Sequence, residues 1–523
     1  MTSPHWFYKE NPLTDQLNSY DSIEALAEKL AYDPLDGIDI ATLPLWRRNE
    51  LLVCEKQPLA PTSLSLRVAM TIHGMVFSSL RARNPLLPKA LWQVDSVIED
   101  ALAGVDFSTL PPVPGACMYI VKGMTGLSKT VTLKRSLALL GKQFIIHPAN
   151  PAANWRGATQ LVYLYVGMSH DGSRGGLLAA ILAEIDKVLG TDHSVTLPRQ
   201  NRTVEKLAQA TIGLLHKLYL GILVIDEMQW LNLTASDQSS LMHTFILSLV
   251  NSGIPTVLSG NPAGFIGLAA HTQLTSRAIE RKEAFFHPCG AIPEDDEWER
   301  VAIGVTGYYV LTEPATEMDK CRLLLKTLGG GIARCALALW CIAQQEALFN
   351  GLNSIGPADI EAAYNDPSFD EMRPVCDGFS RKNPTYLWTW KRSEIPVELY
   401  ARHWRKLEPA GNGESEDNSS QHGAPSKTNA PAQAARAPNS PAPSTGAAAQ
   451  DGYDPEKAAR MERAKLKRQV TRQRKREAAK LALAAQLEPG DMRGEGIKQH
   501  ALTGLDALMG TPPSVEIPAE IPY

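Results

Sequence analysis

The sequence has no Cys-x-x-Cys pair, no uninterrupted apolar run approaching ~18 residues, and no charged segment leading into an apolar one at its start. Each absence closes a class. Without paired cysteines no metal site is implied, and an odd set (Cys54, Cys117, Cys289, Cys321, Cys335, Cys341, Cys376) does not read as a disulfide framework. Several of these cysteines fall within apolar runs, as reduced thiols packed like small hydrophobes do. Without a long apolar run there is no membrane span, and Met1-Thr-Ser-Pro-His-Trp-Phe-Tyr-Lys-Glu10 has no signal-like order, so a cytoplasmic location is expected. Net charge is also small, at −4. It says nothing about nucleic acid until the positions of the charges are asked.

What is present is organised around residues 115–131. An apolar run from Cys117 to Val121 breaks at Gly123 and Gly126, and Lys129-Thr130 opens a periodic run from Val131 to Leu140. Strand, glycine-rich turn and helix in that order make a phosphate cradle. Backbone N–H groups approach the phosphates, Lys129 can reach the β/γ-phosphates, and the Thr130 hydroxyl can hold Mg²⁺. The pattern G-x-x-x-x-G-K-[ST] is missed once, because Ser128 stands where its second glycine belongs. About 95 residues downstream, Gly221-Ile-Leu-Val-Ile-Asp-Glu227 reads as a buried parallel strand ending in two carboxylates. Ligands of open α/β sheets bind at such strand ends. Asp226 would then serve the metal, and Glu227 would orient or deprotonate the attacking water.

At 523 residues the chain exceeds one ordinary core. Residues 1–100 carry two helical patterns, Ser22–Ala31 and Leu64–Leu80, with an aromatic cluster Trp6-Phe7-Tyr8, and read as an adaptor region with no catalytic signature. From 101 to 380 strands and helices alternate, which argues for a parallel sheet covered on both faces. The expected strands include Phe144–His147, Gln160–Val166 and Ile254–Gly260; the expected helices include Leu177–Leu189 and Thr203–Leu218. Asn261, at the tip of a strand beside the carboxylates, either positions the water or serves as a turn residue. Arg277 and Arg281 lie four apart on one helical face, which is solvated unless a neighbouring subunit brings its nucleotide there. Gly329-Gly-Gly-Ile-Ala-Arg334 opens an apolar helix through Ala347, followed by Ser354–Tyr364, and Arg334 can fold back on the phosphates.

That order of parts resembles an AAA+ ATPase, and the connecting phrases resemble the TnsC regulators of cut-and-paste transposons, with TniB as a shorter relative. Phe144-Ile-Ile-His147, Gln160-Leu-Val-Tyr-Leu164, Ile185-Asp186 with Gly190-Thr191, Gly221 to Gln229, Leu249 to Thr256 and Asp296-Glu-Trp298 carry the likeness, which covers about 110–375. It implies an α/β fold, an AAA+ P-loop ATPase with a parallel five-stranded sheet and a small helical lid; the patterning outside that span adds a helical N-terminal region and a disordered, basic C-terminal tail. Residue by residue it implies that Gly123, Gly126, Ser128 and Lys129 form the loop and Thr130 and Asp226 hold Mg²⁺. Glu227 would be the base, Asn261 the first sensor, Arg277 or Arg281 the arginine acting in trans, and Arg334 the second sensor. ATP and Mg²⁺ are the implied cofactors. Homo-oligomeric rings or helical filaments on double-stranded DNA are the implied assembly, connecting a TniQ- or TnsD-like selector to TnsA/TnsB-like transposase subunits. Ser128 departs from the pattern and puts the speed of hydrolysis in question. Two other readings stand beside this one: a non-hydrolysing nucleotide-binding scaffold and an AAA+ helicase loader.

A ring tracking DNA needs cations for phosphate contacts, and Arg174, Arg199 and Arg202 are the candidates. After a post-core segment, 381–408, composition changes abruptly: residues 409–452, rich in Ala, Pro, Ser, Gly and Asn, read as a disordered linker. In 453–523 a strongly basic helical pattern, 456–488, either orders on a polyanion, duplex DNA first and an acidic face of a transposase subunit second, or is simply a solvated helix, and Pro512–Tyr523 reads as an extended docking peptide.

Overall fold

The computed structural model describes residues 10–53, 57–233, 236–268, 274, 276, 282–292, 296–389 and 395–405. Its strands are β1 (Met118–Gly123), β2 (Phe144–His147), β3 (Ala158–Leu161), β4 (Tyr163–Gly167), β5 (Ile222–Asp226), β6 (Thr256–Gly260) and β7 (Ala284–Phe286). Five of them form one sheet in the order β4-β5-β6-β1-β7, every neighbour parallel. The continuous apolar runs follow from burial on both faces. Tyr119, Val121, Val224 and Val257 point into one hydrophobic core. Their neighbours Met118, Ile120, Leu223, Ile225 and Leu258 point into a second.

Register brings the C-terminal strand ends to one edge. Gly167 is level with Asp226, Lys122 with Gly260, and Gly123 with Phe286. The glycine-rich turn, the carboxylates and Asn261 therefore emerge side by side.

The expected single strand Gln160–Val166 is in fact two. β3 pairs antiparallel with β2 in a separate two-stranded sheet, whereas β4 joins the main sheet beside β5. The break falls where backbone partners change: Leu161 N–H donates to the Leu218 carbonyl and Val162 N–H to that of Gln143, both at 2.8 Å. Phe144–His147 is a strand, but it lies outside the five-stranded sheet.

Helices within 10–110 pack onto this core. Ser22 caps Ile23–Leu30, and a reciprocal Thr62/Ser65 capping box starts Ser63–Ala82. The latter buries Val68, Ile72, Met75 and Val76 in the core that also holds Leu133 and Leu137 of the helix Lys129–Ala138. His73 Nε2 lies 3.0 Å from the Ser136 carbonyl across that interface. Beyond the sheet, the helices Trp298–Gly307, Met318–Leu328, Ala333–Phe349, Pro357–Asn365 and Arg373–Ser380 form the lid. No helix among the described residues is long and apolar enough to cross a membrane, and the six described cysteines are free thiols. The Trp6-Phe7-Tyr8 cluster, the linker 409–452 and the basic segment 453–523 lie outside the described residues.

A buried histidine beside a buried arginine sets an acid limit on stability. Arg83, at the C-terminus of Ser63–Ala82, donates to Ser79 Oγ at 2.8 Å and to the Leu220 carbonyl at 2.6 Å. Burial, with Arg83 as a further cause, pushes His216 down to about 3. Below about pH 6.5 the unfolded chain takes up a proton that the folded chain refuses. Stability is thus lost as pH falls through that range. Between pH 7 and 5 the wild type should lose about 2 kcal/mol more than His216→Gln, read from urea midpoints.

Candidate active site

The turn from Gly123 to Ser128 is shaped by two close approaches. A Cβ on Gly123 would lie 2.8 Å from Phe286 Cβ, and one on Gly126, at φ +89°, would lie 3.2 Å from both Arg334 Cβ and Ile332 Cγ2. Loop and lid are thereby in contact, and the Arg334 N–H donates to the Gly126 carbonyl at 3.1 Å. Gly126→Ala should cost about 1–2 kcal/mol for the left-handed backbone alone, seen as a lower urea midpoint at unchanged m-value.

Lys129 is buried at 8% exposure, and its ammonium donates to the Met124 carbonyl at 2.8 Å, so it closes the turn on itself. Thr130 Oγ1 donates to Asp226 Oδ2 at 2.9 Å, 96 residues away in sequence. That bond joins the helix start to the end of β5. Asp226, 3% exposed, also accepts the Glu227 backbone N–H on Oδ1 at 2.9 Å, and Tyr165 donates its hydroxyl to Oδ2. Burial first, then the Asp226 carboxylate, raises the Tyr165 phenol far above its ordinary range, so it stays protonated and serves as a donor. Sequence reading missed Tyr165. A tyrosine within a half-buried strand carries no local signal of what its hydroxyl meets.

Glu227 is exposed, with φ +63°. Gln229 donates its side-chain amide to the Glu227 carboxylate and, through Oε1, accepts the Asn261 N–H at 3.2 Å. Asn261 precedes the 3₁₀ turn Pro262–Phe265 but its side chain makes no capping bond. Instead its Nδ2 reaches Thr125 Oγ1 in the glycine-rich turn at 3.4 Å. Gly123, Gly126, Ser128, Lys129, Thr130, Asp226, Glu227, Asn261 and Arg334 thus converge on one strand edge. Arg277 and Arg281 lie outside the described residues.

The donor set suits a hard cation. A threonine hydroxyl and a carboxylate side by side are what Mg²⁺ takes from a protein when phosphates and water supply the rest of its oxygens. Among the described residues no cluster of three or more His, Cys, Asp or Glu offers a denser site.

Ser128 takes the left-handed conformation, φ 61°, ψ 14°, that a glycine would adopt without strain. Behind it opens a cavity of about 470 Å³ lined by Gln57, Pro58, Leu59, the loop residues Leu127 and Ser128, Phe286 and, from the lid, Val301, Val305 and Leu337. This is in the range of small-ligand sites. Its wall from 57 to 67 comes from the N-terminal region, in which the sequence shows no catalytic signature. Cys289, also on the wall, is pushed up to about 12 by burial.

The three arginines proposed for DNA differ. Arg174 opens the helix Arg174–Leu189 and is paired with Glu205 at 2.5 Å, its side chain 14% exposed. Arg199 and Arg202 stand exposed at the end of His193–Gln200 and just after it. Only the last two present free-standing charge to solvent in this structure.

The AAA domain family matches residues 115–268. No curated protein matches the chain. Among solved structures, the Aeropyrum pernix ORC2 protein in ADPNP–ADP complexes is 13% identical over 62% of this chain and 85% of its own, with a TM-score of 0.34. A Walker-type ATPase of Pyrococcus abyssi is 13% identical over 60% and 88%, TM-score 0.33. Drosophila ORC bound to DNA is 12% identical over 63% and 78%, TM-score 0.31. Likeness at these scores does not extend to function.

Proposed function

We propose, from the premise that residues 115–268 form an AAA-type P-loop ATPase domain, that this chain hydrolyses ATP and uses the cycle to assemble on double-stranded DNA. The observation that carries the nucleotide reading is the Thr130–Asp226 hydrogen bond, which joins the phosphate turn to the acidic strand end. In this reading Lys129 exchanges the Met124 carbonyl for β/γ-phosphate oxygens, and Thr130 and Asp226 would hold Mg²⁺, which would supply charge neutralisation to the transferring phosphoryl group. Glu227 accepts a proton from the attacking water once Gln229 releases its carboxylate. Asn261, whose amide already reaches the turn at Thr125, helps orient that water. Arg334, on the lid and at the turn, reports whether phosphate is bound, and Arg277 or Arg281 acts on a neighbouring subunit's nucleotide. The base and sugar enter the cavity behind Ser128.

The finer role, a TnsC-like regulator of transposition that connects a TniQ- or TnsD-like selector to TnsA/TnsB-like transposase subunits, rests on the connecting phrases quoted above, Gly221 to Gln229 and Leu249 to Thr256 foremost. Exposed Arg199 and Arg202 supply charge for duplex phosphates. Ser128 favours one other reading, a scaffold that binds nucleotide without turning it over, because its side chain strains the loop. Electron micrographs with ATP and duplex DNA decide the assembly: rings or filaments are expected, dependent on both. Their absence would end the DNA-assembly reading. ATP turnover measured in the same samples separates ATPase from scaffold.

A further inference from the structure

The serine in the phosphate turn has a partner outside the domain. Ser128 precedes the helix Lys129–Ala138, where a serine usually accepts a hydrogen bond from the first turn, yet it makes no such bond. At φ 61° its side chain is turned elsewhere, and its Oγ accepts from Gln57 Nε2 at 2.7 Å, across 71 residues of sequence. We propose that Gln57 is a positioning residue of the phosphate turn: its amide clamps Ser128 in the left-handed conformation that glycine would take unaided. Resting on the nucleotide reading above, this names the group that lets a serine stand in the turn.

The clamp is anchored on its far side. A few residues on, the Ser63 N–H and Oγ each donate to the Glu297 carboxylate at 2.8 Å, tying the segment to the first lid helix. Segment 57–65 also walls the cavity behind the turn. One short stretch therefore touches lid, cavity and phosphate turn. Losing the amide lets the turn sample conformations that cannot cradle phosphate, and apparent affinity falls by the fraction of competent turn lost.

The test is a cycle of wild type, Gln57→Ala, Ser128→Gly and the double variant. Two readouts are taken on each: the dissociation constant for a fluorescent ATP analogue, and the urea unfolding midpoint without nucleotide. Gln57→Ala is expected to weaken binding about five-fold, the worth of one net hydrogen bond, and by under about two-fold in the Ser128→Gly background. The unfolding midpoints should show the same non-additivity. Ser128→Ala, which keeps the strain and removes the acceptor, should match Gln57→Ala and mask it. Equal losses with and without Ser128→Gly would mean that Gln57 acts through the cavity wall, and no loss at all would mean that it does nothing; either overturns the clamp. Should no variant bind nucleotide, the proposed function fails, and the unfolding cycle still decides the clamp.

Discussion

Glu227→Gln is expected to lower ATP turnover by about 10²- to 10⁴-fold, the usual contribution of a positioned base, while leaving nucleotide affinity near that of wild type. The two effects separate because Glu227 stands one residue past Asp226, the carboxylate proposed to serve the metal, and is tied to it through its backbone N–H, while its own carboxylate is exposed and takes no part in the Thr130–Asp226 and Tyr165–Asp226 bonds. Glutamine keeps the length of the side chain but cannot take a proton. Assemblies formed with ATP should therefore persist far longer in the variant, visible as micrographs unchanged after incubation times that disperse the wild type. Turnover lost together with affinity would mean that Glu227 holds the loop rather than the water. Turnover absent from wild type and unaltered in the variant would leave the scaffold reading in possession.

Much of this site is written locally in the chain. A glycine-broken turn before Lys129-Thr130, and the aliphatic run Ile222–Ile225 stopped by Asp226-Glu227, each declare themselves within ten residues, because both faces of the sheet are apolar and the strand ends are not. Pattern fails where a contact is distant. Gln57 meets Ser128 and Tyr165 meets Asp226 only after folding, and neither residue type announces its partner. β7 is three residues long, too short for alternation to show, although it supplies Phe286 to the turn. The division of Gln160–Val166 was hidden for the opposite reason: Val162 is as apolar and buried as its neighbours, so nothing in the text marks the place where hydrogen-bond partners change.

Lys129→Ala should weaken nucleotide binding roughly a hundred-fold, about what the loss of two charge-assisted hydrogen bonds implies. Thermal protection gives the most direct measure. At a nucleotide concentration near one hundred times the wild-type dissociation constant, bound ligand stabilises the fold by about 2.7 kcal/mol, and a hundred-fold weaker variant keeps only about 0.4 kcal/mol of it. The ligand-free fold should change little, since the turn is still held by the Arg334 N–H on the Gly126 carbonyl and by Gln57 on Ser128. Arginine should not restore binding. Lys129 is buried and its ammonium is a compact point charge set inside the turn, a role that a longer, planar guanidinium does not reproduce. Full protection of Lys129→Ala by ATP would put the phosphates somewhere other than this turn. The roles given to Thr130, Asp226 and Glu227 would then fall with it, because all three are argued from their place at the strand edge beside this turn.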